Sequence, residues 1–428
     1  MDLEAAAAAW CILEVVGAAA ARAQETPPDL EARVKALEER LGAKNSLQAV
    51  WKDGLRFESP TKEFEIRIGG RIQFDSMWGE ADRDAEAAIG SAVEDGAEMR
   101  RARLYLAGRL YEKIDFRWEY EFADQDGKTK FVDVYAGLVE LDCFPDLRAG
   151  HFREPFGLDA LSGATELPCM ERALPFALAP FRNLGIQLSD ACAGERVTAA
   201  AGVFRESSDQ AIGQADGAYA ATARVTGVPW FADEGRRLVH LGVAASRRAP
   251  PDDEVQYRSK PESNLAPVFV DTGVLTDVET VTLLGGEAAL LLGRCSLQAE
   301  YASAELRRTA GFDRARFSGW QALATWTITG EPRRYRFATG VFQAPQPAAD
   351  AFDRAGGCGA WEVAARVSAL DLDDGVVAGG ELVDHTLGLN WYLNRSTRVQ
   401  LNAIHSRLDR GASDGSANIL EMRVQLSL

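Results

Sequence analysis

The chain has no long apolar run. Among its 428 residues, no stretch reaches the roughly eighteen consecutive apolar residues of a membrane-spanning helix. A helical membrane protein is therefore excluded. A strand that alternates apolar and polar residues can still cross a bilayer without such a run, because only one of its faces meets lipid.

Cysteine and histidine are also scarce, with six and four residues in the chain. The cysteines have no regular spacing and the histidines are scattered, so we expect neither a disulfide framework nor a metal site. The sequence lacks the GxSxG, Walker, HExxH and Rossmann motifs, and we therefore expect neither an enzyme nor a cofactor. The net charge of −17 argues against a nucleic-acid partner.

Strict alternation of apolar and polar residues is abundant. Between Phe64 and Trp78 one parity is almost wholly apolar and the other contains Arg67, Arg71 and Asp75. The same pattern recurs in Arg101–Tyr111 and in Leu420–Leu428. About ten residues of tilted strand suffice to cross the hydrocarbon core of a bilayer. One undivided set of such strands predicts an all-β protein, a transmembrane antiparallel β-barrel with lipid outside and water inside.

The number of strands follows from the turns between them. Seventeen candidate strands are found, but a barrel of this kind has an even number, and leaving out 335–343 gives sixteen. Both termini then lie at the periplasmic end, together with the short turns 112–113, 293–294 and 394–396. The connection 329–359 is then long, and Arg407 falls in a loop. The candidate strands are 64–78, 101–111, 115–122, 132–138, 147–153, 184–190, 196–204, 218–227, 237–247, 281–292, 295–305, 317–328, 335–343, 360–369, 384–393, 397–406 and 418–428.

Three regions are predicted along the chain. Residues 1–23 are typical of an export signal that is cleaved before Gln24. In the segment 24–50, Leu30, Val34, Leu37 and Leu41 have the 4-3-4 spacing of a short periplasmic coiled coil, although a solvated amphipathic helix would show the same pattern. Residues 51–428 form the barrel, which we expect in a Gram-negative outer membrane in contact with its lipid.

Arginine collects on the polar face of the first three strands, alongside Asp115, Glu119 and Glu121. Guanidinium groups in a narrow pore favour anions, so this face predicts an anion channel. Two alternatives remain: a general or carbohydrate porin with Tyr105 and Tyr135 along its track, and a structural tether that acts through the helix at 29–44. The arginines concerned are Arg67, Arg71, Arg101, Arg103, Arg109 and Arg117.

Several ordered motifs make the sequence from about Trp51 onward resemble the phosphate-selective porin O/P family. This resemblance implies a sixteen-stranded, trimeric outer-membrane barrel that passes small anions such as phosphate or polyphosphate. It also implies that the irregular segment 154–183 is a loop that folds inward and narrows the pore. The motifs are WKDGLRFES (51–59), IGGRIQFD (68–75), MRRARLYLAG (99–108), GHFREPFGL (150–158), MERALPFALAPFRNLGIQL (170–188), AAGVFRESSD (200–209) and LGLNWYLNRSTRVQLNAIHS (387–406).

The resemblance also implies particular residues of the pore. The pair Arg100-Arg101 at the start of the second strand would face the constriction, together with Arg117 on the third strand and Asp133 on the fourth. The basic residues within the segment 154–183 are Arg172 and Arg182. These residues and the arginines of the alternating face form the predicted site.

Overall fold

A computed structural model gives the fold. It describes residues 32–35, 47–51, 54–123, 128–142, 144–214, 216–309, 314–354, 356–411 and 413–428. The predicted export signal lies outside the described residues. So does the predicted coiled coil, except for residues 32–35, which are helical.

Most of the described chain is β-strand. In chain order the strands are β1 (Gln48–Trp51), β2 (Leu55–Glu58), β3 (Phe64–Ala81), β4 (Gly96–Leu110), β5 (Ile114–Glu121), β6 (Lys130–Leu138), β7 (Asp146–Arg153), β8 (Arg182–Cys192), β9 (Val197–Arg205), β10 (Tyr219–Ala232), β11 (Arg237–Arg248), β12 (Arg258–Ser259), β13 (Val270–Asp271), β14 (Val278–Leu292), β15 (Cys295–Arg308), β16 (Ala315–Thr327), β17 (Arg334–Arg336), β18 (Val341–Gln343), β19 (Ala360–Asp374), β20 (Val377–Tyr392), β21 (Thr397–Arg410) and β22 (Ser413–Ser427). The helices are α1 (Arg83–Ile89) and α2 (Leu158–Leu161), with 3-10 turns at Leu174–Leu178, Asp233–Gly235, Pro251–Asp253 and Phe337–Thr339. No helix in the described ranges is long and apolar enough to cross a membrane.

Sixteen strands of the described chain form a closed antiparallel barrel, which confirms the predicted fold class. Each barrel strand pairs with the next, and β22 pairs with β3 from Ala417↔Ala81 to Ser427↔Arg71, which closes the cylinder. The hairpin β17–β18 lies outside the barrel sheet, as the omission of 335–343 predicted. Strands β1 and β2 extend the sheet beside the start of β3.

The two faces of a barrel strand differ as the alternation predicts. On β3, Ile72, Phe74 and Trp78 are exposed on the outer wall, while Gln73 and Asp75 are buried inside. The outer side chains cover the wall with apolar surface, and the inner ones bond to one another and to the loops. This arrangement places an apolar band against lipid and polar groups in the lumen.

Two local predictions were wrong. Arg407 is not in a loop. It lies within β21, pairs with Val383 on β20 and is exposed on the outer face of the barrel. The segment 79–98, which lies between the predicted strands 64–78 and 101–111, contains the end of β3, the helix α1 and the start of β4, so both strands are longer than predicted. Asp82 accepts a hydrogen bond from the Ala85 amide (2.8 Å) and so begins α1, and Gly90 ends it at a φ of 70°.

Three connections fill much of the barrel. The short turns 111–113, 293–294 and 393–396 share one end, here called the short-turn end, and the opposite end is the long-loop end. The connections 154–181 and 249–277 enter from the long-loop end, and 328–359 enters from the short-turn end. A cavity remains along the wall formed by β3 to β10.

Candidate functional site

The connection 154–181 lies inside the barrel, as expected of the segment 154–183. Its backbone carbonyls accept hydrogen bonds from inward side chains of the far wall, Asn390 to Pro168 (2.8 Å) and Arg398 to Leu167 (2.9 Å). At its start, the Glu300 carboxylate accepts the amide of Leu158 (2.8 Å). Buried carbonyls and amides need such partners, and here the barrel wall supplies them.

A β-bulge turns two consecutive arginines of β4 toward this connection. The register shifts between Gln73↔Arg101 and Phe74↔Met99, which leaves Arg100 as the extra residue. Arg100 can therefore face inward beside Arg101, although neighbours in a regular strand face opposite sides. Arg100 donates to both carboxylate oxygens of Glu171 (2.9 and 3.0 Å), and Arg101, only 4% exposed, lies 3.9 Å from the same carboxylate.

Glu171 is the centre of a cationic cluster. Arg423 also donates to Glu171 (2.7 Å), and two of its nitrogens donate to the Asp75 carboxylate (2.7 and 2.6 Å). Burial alone raises the pKa of Glu171, but Arg100, Arg101 and Arg423 outweigh it and hold the pKa well below its ordinary value. The arginine pair thus ties the inward connection 154–181 to the wall at β4.

A second network runs along the wall between β4 and β8. Arg103 donates to Glu121 (2.6 Å) and to Glu119 (3.4 Å). Arg117 donates to Glu119 through two nitrogens (2.9 and 2.8 Å). Arg182, at the start of β8, donates to Asp133 on β6 (2.8 Å).

Three other arginines of the described chain lack a direct carboxylate partner. Within the described residues, Arg71, Arg153 and Arg172 form no salt bridge with a carboxylate. Arg153 donates only to the carbonyls at 160–162 (2.8 to 2.9 Å), and Arg172 donates only to those of Asp159 and Ser162 (3.0 and 2.7 Å). Burial lowers the pKa of Arg172 to about 10, which leaves it cationic at neutral pH.

These side chains line three neighbouring cavities. The outer cavity, about 640 Å³, lies beside Glu98 and Lys130; the loop cavity, about 470 Å³, lies between Arg172 and Lys260; the inner cavity, about 470 Å³, lies between Arg71 and Arg336. Arg103 and Arg182 border all three. These two residues therefore stand where the cavities meet.

The charges around the cavities are unequal in number. Eight arginines and four carboxylates line the inner cavity. Seven arginines and one lysine line the loop cavity with only two carboxylates, Glu171 and Glu262. A positive excess in a partly enclosed space attracts anions and repels cations.

The structure brings most of the predicted site together. Eight of the ten residues border at least one cavity: Arg71, Arg100, Arg101, Arg103, Arg117, Asp133, Arg172 and Arg182. The other two lie toward the short-turn end, where Arg67 pairs with Glu65 (2.9 Å) and Arg109 with Glu140 (2.5 Å).

Several lining residues were missed by sequence reasoning. Arg224 lies between Thr222 and Thr226 on the inward parity of β10, so the alternation contained a signal for it. Arg336 lies on the hairpin β17–β18, whose candidate strand 335–343 was left out of the predicted barrel, and Lys260 lies in an irregular part of the connection 249–277. In the described ranges no group of three or more His, Cys, Asp or Glu residues is placed to hold a metal ion.

Arg224 also holds the third connection in place. Its guanidinium donates to the carbonyls of Thr339 (3.1 Å) and Gly340 (2.8 Å) and to Glu287 (2.9 Å). The connection 328–359 was predicted to be long and to lie at the end of the short turns. Its course into the lumen, where Arg336 borders the inner cavity, was not predicted.

Comparison with known sequences finds a matching family and two similar proteins. The family model described as phosphate-selective porin O and P matches residues 66–428. The chain is 24% identical to Porin O of Pseudomonas aeruginosa over 416 residues, 87% of this chain and 91% of that protein. It is 30% identical over 371 residues to an uncharacterised protein of Caulobacter vibrioides, covering 83% of this chain and 71% of the relative.

Solved structures show the same fold at low sequence identity. The anion-selective porin of Comamonas acidovorans superposes with a TM-score of 0.55 at 13% identity, covering 86% of this chain and 100% of that one. The trimer form of OmpT from Vibrio cholerae has a TM-score of 0.51 at 12% identity, with 85% and 99% coverage.

Proposed function

The chain belongs to the phosphate-selective porin O and P family, and we propose that it is an outer-membrane porin through which small anions, phosphate among them, diffuse. The observation that carries this proposal is the excess of arginine over carboxylate around the loop and inner cavities. An anion that loses part of its hydration there is compensated by guanidinium donors. The binding must stay weak enough for the ion to leave.

Passage would follow the arginine-lined wall. From the outer cavity an anion reaches Arg103 and Arg182, which border all three cavities, and continues past Arg71 to the short-turn end. The carboxylate partners of Arg103 and Arg182 fix the direction of their guanidinium groups. Arg71, Arg153 and Arg172 supply positive charge without a direct carboxylate partner in the described chain.

The aromatic side chains of the lumen favour an anion path over a carbohydrate track. Tyr105 and Tyr135 would have to present free ring faces to a sugar. Instead, the Arg117 guanidinium carbon lies 4.4 Å from the centroid of the Tyr105 ring, and that of Arg148 lies 4.1 Å from the Tyr135 centroid. Cation–π contacts of this kind cover the rings with positive charge.

The porin family and the porin fold indicate a channel, and we propose that the protein has no enzymatic activity. We further propose a homotrimer, since OmpT of Vibrio cholerae, which shares the fold, has a trimer form. For the N-terminal region, most of which lies outside the described residues, we propose a cleaved signal at 1–23 and a periplasmic segment at 24–50 whose helix ends before the strand β1 (Gln48–Trp51), with the barrel domain at 51–428. N-terminal sequencing of the protein purified from outer membranes tests the cleavage.

Phosphate block of chloride current tests the proposed function. The purified porin is inserted into a planar bilayer in potassium chloride, and inorganic phosphate is added in steps. A phosphate-accepting anion porin loses chloride current as phosphate occupies the arginine wall. Conductance without any block supports the general porin instead, and the absence of conductance supports the tether.

A further inference from the structure

The outer wall of the barrel carries a polar patch on β20, β21 and β22. His385 and His405 lie directly opposite each other, with ring centroids 6.4 Å apart, and Asn418 lies opposite His405 on the next strand. All three have the outward parity of their strands, on which residues nearer the short-turn end, such as Leu401, are apolar. Polar groups on a lipid-facing wall are costly near the middle of the bilayer and tolerated at its interface.

Two tryptophans place this patch at the membrane interface of the long-loop end. Trp320 on β16 and Trp78 on β3 are exposed on the outer wall, and β19 to β22 lie between these two strands. Toward the long-loop end the next outward residues are polar, Ser318 beyond Trp320 and Glu80 beyond Trp78. Tryptophan concentrates at the level of the lipid head groups. The patch between the two tryptophans therefore meets head groups.

Arg407 adds a full positive charge to the patch. It is exposed on the outward parity of β21, two residues beyond His405, and within the described residues it forms neither a hydrogen bond nor a salt bridge. Its neighbours across the ladder, Val383 and Ser416, carry no charge. Nδ1 of His405 donates to the side-chain oxygen of Asn418 (2.9 Å), so Nε2 is left to take a proton and donate to a ligand.

An apolar groove of about 630 Å³ begins beside this patch. It runs across the middle of the outer wall, and His385 and Leu387 border one end of it. The short side chains of Ala322 and Ala365 set its floor back. A saturated hydrocarbon chain is what such a groove accepts on a wall that faces lipid.

A row of carboxylates lies beyond Arg407 toward the long-loop end. Its members are exposed and stand opposite one another on four adjacent strands: Asp371, Glu381, Asp409 and Asp414. Their negative charge repels a dissolved anion that approaches Arg407 from the aqueous side. A phosphate carried by a lipid reaches Arg407 from the membrane side instead.

We propose that Arg407, His405 and His385 bind the head group of a phosphorylated glycolipid of the outer leaflet, with one acyl chain in the adjacent groove. A guanidinium offers forked donors to phosphate oxygens, and a protonated imidazole adds a further donor. The long loops of outer-membrane barrels face the cell exterior, which places the patch in the outer leaflet. The lumen is lined by the opposite parity of these strands, so the lipid site is separate from the anion path and does not depend on it.

The test compares Arg407→Gln with a matched control, Arg247→Gln. Arg247 is also exposed on the outward parity near the long-loop end, on β11, and has no salt bridge within the described residues. The full-length porin is purified free of glycolipid, and its affinity for lipid A carrying two phosphates is measured by native mass spectrometry. Loss of a hydrogen bond between charged groups weakens binding roughly tenfold or more, which we expect for Arg407→Gln only. Arg407→Lys, which keeps the charge, should restore most of the affinity.

The outcomes decide the lipid site independently of anion passage. Arg407 has no partner in the described barrel, so Arg407→Gln strands no group and should fold as the wild type does. Equal affinities of Arg407→Gln, Arg247→Gln and the wild type overturn the site, and so does equal binding of lipid A from which both phosphates have been removed. Inorganic phosphate that displaces lipid A at an equal concentration also overturns it, because the acyl chain would then contribute nothing.

Discussion

Replacing Arg103 by alanine removes a positive charge from the point where the three cavities meet. We expect the barrel to keep its fold, because both carboxylate partners of Arg103 keep other hydrogen bonds. Glu121 still accepts the amides of Ala102 (2.7 Å) and Ala123 (3.1 Å), and Glu119 keeps both bonds from Arg117. The variant therefore changes the charge of the path more than its shape.

The magnitude follows from Coulomb's law. An anion about 4 Å from a guanidinium gains about 1 kcal/mol if the cavity behaves as bulk water, and about 4 kcal/mol at an effective dielectric constant of 20. Even the lower figure corresponds to about a fivefold change in local anion occupancy. The preference for chloride over potassium should therefore fall about fivefold or more in Arg103→Ala, and Arg101→Ala should act in the same direction.

The assay is the reversal potential of planar bilayers in a potassium chloride gradient, recorded for each variant and the wild type. Arg407→Ala is the matched control, because Arg407 is exposed on the outer wall of β21. It should keep the wild-type reversal potential. Equal reversal potentials in Arg103→Ala, Arg407→Ala and the wild type would refute the assignment of the lumen face.

Three further predictions concern the inward connections. Glu300→Ala removes the acceptor of the Leu158 amide (2.8 Å), a bond of about 1.5–3 kcal/mol, and should raise single-channel conductance and current noise; unchanged traces would contradict this anchor. Arg224→Ala removes both donors to the carbonyls of 339–340, which frees the connection 328–359 from the wall, so we expect a larger conductance. A conductance equal to wild type would show that Arg224 does not hold this connection in place. Because the pKa of Glu171 is held well below its ordinary value of 4.5, its ion pairs stabilise the fold above pH 4.5 and are lost only as pH falls through the depressed folded-state pKa. The noise of the single-channel current should therefore be the same at pH 4.5 as at neutral pH. In Glu171→Gln this noise should be high at every pH.

Alternation predicted the barrel and most of its lumen because a period of two is imposed on every strand by lipid on one side. It failed at Arg100, where a bulge inserts one residue and both members of the Arg100-Arg101 pair face inward. It also failed at Arg407, because β21 extends beyond the predicted 397–406.

The filling of the lumen had no local signal. Lys260 and Arg336 reach their cavities through connections that are fixed by partners far away in sequence, Arg366 for Glu262 and Arg224 for Gly340. Their positions depend on the closed barrel that surrounds them. A periodic pattern describes one strand at a time and does not contain this information.

The reversal potential of the wild-type porin tests the central claim most directly. With potassium chloride more concentrated on one side of the bilayer, the sign of the reversal potential shows which ion is more permeant. The arginine excess around the loop and inner cavities predicts the sign of a chloride-selective pore. A potential of the opposite sign, set by potassium, would contradict the account.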